Sequence, residues 1–125
     1  MPSISDSIGI KPGPAKAPPS PVALQYRHRT VGGVSAAADN VVFPWYWTRL
    51  DHPALNNNPQ AIVTVTPVGY IVLNGTTASL VQNPNPVGVL YRDVDSRWYI
   101  YNLGLQAMEL NVDFNVAINE ESTTS

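Results

Sequence analysis

Along much of this chain, hydrophobic and polar residues alternate at every second position, the period of a strand with one buried face. Val63 and Val65 alternate with Thr64 and Thr66. Trp98 and Ile100 alternate with Arg97, Tyr99 and Tyr101, and Phe114, Val116 and Ile118 alternate with Asn115 and Asn119. Val, Ile, Thr and aromatic residues gather in short runs, and clusters of Gly, Pro, Asn and Asp separate them. The pattern predicts strands at Leu24 to Thr30, Val41 to Thr48, Ala61 to Thr66, Tyr70 to Leu73, Thr76 to Gln82, Val87 to Asp93, Arg97 to Asn102 and Asp113 to Asn119. No window of helical length carries a 3.6-residue apolar stripe. Two facing sheets would bury the apolar rows, so the expected fold is all-β, a small antiparallel β-sandwich or flattened barrel.

Turn chemistry adds two hairpins. Asn74-Gly75 separates Ile71-Val72-Leu73 from Thr76-Thr77-Ala78, and this dipeptide tolerates positive φ at both centres of a type I′ turn. Asp93 to Ser96 separates the runs ending at Tyr91 and beginning at Trp98, with Asp93 and Ser96 able to bond to nearby backbone.

Ahead of Leu24 the pattern changes. Six of the twelve prolines lie between Pro2 and Pro21, and each removes a backbone donor and fixes φ. The expectation is an extended, polyproline-II-like arm over residues 1–23, a β domain over 24–119 and a polar tail over 120–125. Ile4, Ile8 and Ile10 give the arm apolar anchors that a pure spacer would not need, so docking on a neighbouring subunit is one reading and a plain linker the other.

Composition narrows the partners. Hydrophobic residues make up 44% and charged residues 13%, so the surface draws its polarity from Asn, Thr, Ser and Gln. Seven basic against nine acidic residues give a net charge of -2 with no basic run, which argues against nucleic acid. There is no cysteine, hence no disulfide or thiolate chemistry. No secretory signal and no apolar run long enough for membrane insertion are recognised, and the compartment stays open.

Candidate chemistry is sparse, and the expectation is a chain with no enzymatic activity, catalytic residue, cofactor or bound metal. His28 shares a strand face with Tyr26 and reads as a structural histidine. Asp51-His52-Pro53 with Asn56, Asn57 and Asn58 forms the most polar loop. Its letters fit Asx turns, with a binding loop as the alternative and no second histidine or acidic cluster at ligand spacing. Asp93, Asp95 and Ser96 fall short of a calcium ligand set. Asn74-Gly75-Thr76 matches a glycosylation sequon that the hairpin already explains.

The run Phe43-Pro44-Trp45-Tyr46-Trp47 is the strongest candidate surface. As a strand it would place Phe43, Trp45 and Trp47 on one face and Tyr46 on the other, with Pro44 forcing an edge or a bulge. Core packing is one reading. A platform for a subunit, a sugar ring or partner prolines is the other.

Taken together, Leu50-Asp51-His52-Pro53, Asn58-Pro59 with Ala61-Ile62, Val65-Thr66, Pro86-Val87-Gly88-Val89 with Tyr91, Trp98 with Ile100 and Asn102, Met108, and Phe114-Asn115-Val116 resemble a recurring β domain of uncharacterised function. That family occurs largely in bacterial secreted and surface proteins, often in tandem. The resemblance runs from about Tyr26 to Val116. It implies an all-β module at a particle surface or outside the cell, and it brings no catalytic residue. The chain departs from it in holding one copy, in the proline-rich arm and in Leu103-Gly104. The functional expectation is a structural module that coats or cements a larger array through homo-oligomeric or other protein contacts. The alternative is a glycan-binding or adhesive module using Trp45, Tyr46, Trp47 and the Asp51 to Asn58 loop.

Overall fold

A computed structural model describes residues 24–119, which form eight strands and no helix. They are β1 (Leu24–Arg29), β2 (Trp47–Arg49), β3 (Ile62–Val68), β4 (Tyr70–Asn74), β5 (Thr77–Val81), β6 (Val87–Arg92), β7 (Arg97–Asn102) and β8 (Asp113–Asn119). Two antiparallel three-stranded sheets, ordered β1-β8-β3 and β2-β7-β6, face each other as a small sandwich, and β4-β5 stands as a separate two-stranded sheet. The sheets do not close into a barrel. The proposed arm with Ile4, Ile8 and Ile10, and the tail over 120–125, lie outside the described residues.

The core follows the alternation. Phe114, Val116 and Ile118 of β8 are fully buried, with Val63 and Val65 beside them, and Ile100 meets them from the second sheet. Each such side chain contributes roughly 1.5–3 kcal/mol by leaving water. Leu50, Leu55, Met108 and Val112 reach the same core from loops.

Three expectations need correction. The run from Val41 to Thr48 is not one strand. Val41 and Thr48 pair with each other in an isolated antiparallel bridge, so the residues between them must reverse direction. Pro44 has no N–H to give a ladder, and the chain makes a tight turn in which the Trp45 N–H donates to the Val42 carbonyl at 2.7 Å. The second correction is the β4–β5 turn: Asn74 pairs with Thr77, so Gly75 and Thr76 are its centres. Only Gly75, at φ 66°, is left-handed, which suits a II′ rather than a I′ geometry.

The third concerns β7, whose outward face carries Tyr99. That residue is completely buried because Trp47 lies over it at 4.4 Å between ring centroids. Arg92 sits 5.4 Å above the Trp47 ring. The Asp93 to Ser96 connection, in contrast, is the expected tight hairpin: Arg92 pairs with Arg97, and Ser96 takes the left-handed position at φ 58°.

Candidate functional site

Two exposed apolar features and one polar loop hold the residues of interest. At the reversed aromatic run, the Phe43–Pro44 bond is cis and Trp45 takes φ 79°. Two backbone bonds hold that left-handed tryptophan, from its N–H to Val42 and from the Met108 N–H to its carbonyl at 2.8 Å. A bulky residue at positive φ costs about 1–3 kcal/mol, which makes the turn a place to look for function. Phe43 and Trp45 meet edge to face at 6.1 Å and remain 76% and 53% exposed. Tyr46 and Trp47 leave them: Trp47 covers Tyr99, and Tyr46 tilts against Trp47 at 5.4 Å. The run therefore divides into an exposed pair and a packed pair.

Beside Trp45 opens a cleft of about 230 Å³ lined by Gly32, Gly33, Val41, Ala107, Met108 and Leu110. It has no ionisable side chain in its wall. An apolar, aromatic-edged slot of this kind selects rigid hydrophobic groups rather than ions.

The second feature is the β4–β5 hairpin, in which every residue from Tyr70 to Leu80 is exposed. Cross-strand pairing puts Ile71 opposite Leu80 and Leu73 opposite Ala78, so one face is wholly apolar. Ile71, Leu73 and Leu80 are 57%, 73% and 58% exposed. Residues 53–91 contain no Asp, Glu, Lys or Arg, so neither strand carries the charge or proline that commonly protects an open edge.

The Asp51 to Asn58 loop uses its polar groups within itself and on the Ser96 to Trp98 segment. Asn56 Nδ2 donates to the Asp51 carboxylate at 2.8 Å, the Ala54 N–H donates to His52 Nδ1 at 3.0 Å, and the Asn58 carbonyl accepts from Trp98 Nε1 at 2.9 Å. His52 stacks on Tyr26 at 4.8 Å. Burial, then the nearby Asp51 carboxylate, pushes the Tyr26 hydroxyl up to about 12. Among the described residues, no hydrogen bond or ring contact joins Asp51, His52, Asn56 or Asn58 to Phe43, Trp45, Tyr46 or Trp47.

His28 is buried and bonded to Thr48 Oγ1 at 2.8 Å. The Thr48 hydroxyl gives its proton to Asn40 Oδ1 at 2.7 Å, so His28 Nε2 is the donor to Thr48. Burial pulls its pKa down to about 4, against the opposing pull of Asp113. Asp95, weighed above as a calcium ligand, accepts from the Tyr99 hydroxyl and from Arg92. Among the described residues, no group of three or more His, Cys, Asp or Glu is placed to hold a metal.

The hairpin's apolar face could have been read from sequence, because Ile71, Leu73, Ala78 and Leu80 alternate about a glycine turn. The cleft could not, since Trp45 is joined to Met108, and the Gly32 segment to the Leu110 segment, by backbone bonds between stretches distant in sequence.

A family model described as a domain of unknown function (DUF7452) matches residues 22–118. A search of curated proteins finds no match to this chain, and a search of solved structures finds none either.

Proposed function

We propose that this chain, which belongs to the DUF7452 family, is a non-enzymatic assembly module that coats or cements a larger array such as a virion shell, a filament or a surface layer. The observation that carries the reading is the β4–β5 hairpin, with its uncharged apolar face and two open edges. Contiguous apolar surface of this kind marks contact sites on soluble proteins. A neutral surface also suits contact with another neutral surface, including a second copy of the chain. The proline-rich segment with Ile4, Ile8 and Ile10 supplies further apolar anchors.

Light scattering on the full chain, on a chain lacking residues 1–21 and on a Leu73→Lys, Leu80→Lys variant tests the proposal. Assembly by the full chain that weakens in the two variants supports it. Assembly unchanged in both removes the hairpin and the arm as contacts.

A carbohydrate-binding or adhesive module is the second reading, favoured by the exposed Phe43 and Trp45 pair. A glycan array read with a Trp45→Ala variant decides it, and silence from every glycan removes it.

A further inference from the structure

The cleft beside Trp45 and the hairpin lie at the same end of the sandwich, and the chain enters β1 at the other. Leu24 pairs with Ile118, whereas Arg29 pairs with Asp113. Thr30 extends that ladder, donating to the Val112 carbonyl and accepting from the Asn111 N–H, both at 2.9 Å. The cleft follows directly, with Gly32 just beyond Thr30 and Leu110 just before Asn111. The six steps from Leu24 to Thr30 put the cleft about 20 Å from the start of β1.

What would such a cleft hold? Its walls are apolar and uncharged, and the exposed Trp45 indole, which meets the Phe43 ring edge to face, lines it. Prolines in a polyproline-II turn match that chemistry: their rings lie flat on aromatic faces, and their fixed φ lowers the entropy lost on binding. The chain's own sequence contains Pro18-Pro19-Ser20-Pro21. With three residues per turn, the first and last of these share one face about 9 Å apart.

Chain length decides between the two sources of that segment. Pro21 precedes Leu24 by three residues and so reaches at most about 11 Å from it. That is roughly half of what its own cleft requires, and Pro18, six residues ahead of Leu24, covers only about 19 Å at the polyproline-II rise, so a chain cannot seat both Pro18 and Pro21 in its own cleft.

We infer that Pro18 to Pro21 of one copy docks in the cleft beside Trp45 of another copy. This rests on the assembly reading and deepens it by naming donor and acceptor. Because donor and acceptor differ, the contact either repeats head-to-tail into a filament or a closed ring, or is exchanged reciprocally in a two-fold pair.

A complementation experiment tests the docking by sedimentation velocity on full-length chains. All carry Leu80→Lys so that hairpin contacts do not obscure the result. One chain adds Pro18→Ala and Pro21→Ala and so lacks the donor. Another adds Phe43→Ala and Trp45→Ala and so lacks the acceptor. A third adds Gly32→Val, which crowds the cleft from its other wall, because a Cβ there stands 2.8 Å from Leu110 Cδ2.

The expected result is that the Leu80→Lys parent associates and each further variant alone sediments as a monomer. An equimolar mixture of donor-less and acceptor-less chains then forms a one-to-one complex, because one intact contact remains between them. A mixture that stays monomeric while the parent associates overturns the docking and leaves the assembly reading standing. A donor-less chain that assembles like its parent also overturns it. If the chain with no substitution is monomeric at every concentration, both fall.

Discussion

His28 in β1 and Thr48 in β2 join the two sheets of the sandwich through a 2.8 Å hydrogen bond whose donor is the neutral imidazole. The bond sits in a chain of partners: Asn40 accepts from Thr48 and from the Val31 N–H, and it donates to the Arg29 carbonyl. A proton on His28 would put a charge where burial disfavours it.

The pH dependence follows from that burial. The unfolded chain takes up this proton near 6.5, whereas the folded chain refuses it down to about 4. The unfolded state therefore binds more protons between those values, and stability falls as pH drops through that window, by on the order of 3 kcal/mol at its lower end. Urea unfolding of the parent and of His28→Gln near neutrality and near the foot of the window checks this. The parent should lose markedly more stability than the variant, and equal losses would assign the effect to other groups.

Asn102 is completely buried and ties three segments together. Its amide donates to the carbonyls of Gln106 and Ala107 at 2.7 and 3.1 Å, and its oxygen accepts from Asn83 Nδ2 at 2.9 Å. Asn102→Ala should cost on the order of 3 kcal/mol, because buried partners are left unmatched. A thermal melt reads this as a clear drop in Tm.

The two exposed and two packed aromatics of the Phe43 to Trp47 run should separate by their effect on folding. Trp47→Ala uncovers Tyr99 and removes the ring beneath Arg92, for a loss of about 2–4 kcal/mol. Phe43→Ala takes away a ring that is 76% exposed, and stability should change by less than about 1 kcal/mol. Denaturant midpoints for the two variants make the comparison.

At the hairpin, Leu73→Lys and Leu80→Lys substitute side chains that are 73% and 58% exposed. The folded monomer should keep its stability to within about 0.5 kcal/mol. Self-association should weaken at the same time, since lysine on an open strand discourages edge and face contact. A large fall in stability would mean that the hairpin packs on its own domain.

Much of the fold was legible because the strands keep a strict two-residue period and their turns carry Gly, Asn and Asp; β3, β7 and β8 fall within two residues of where alternation places them. The β4–β5 turn differs by a one-residue offset, and the other two differences come from pairings that local residue types do not mark. Tyr99 occupies a position that alternation assigns to solvent, and it is buried because β2 brings Trp47 across from 52 residues earlier. The letters of the aromatic run have strand propensity, while the Val41–Thr48 bridge that forces the reversal leaves no local mark. For the site, the exposed aromatics could be named from sequence, but the cleft required the backbone bond from Met108.

Self-association through neutral apolar surface stands or falls on the mass of the chain in solution. Light scattering across a concentration series should give a mass well above the 13.6 kDa of one chain, rising with concentration and reduced by Leu73→Lys with Leu80→Lys. A constant 13.6 kDa at every concentration would mean that the chain does not self-associate.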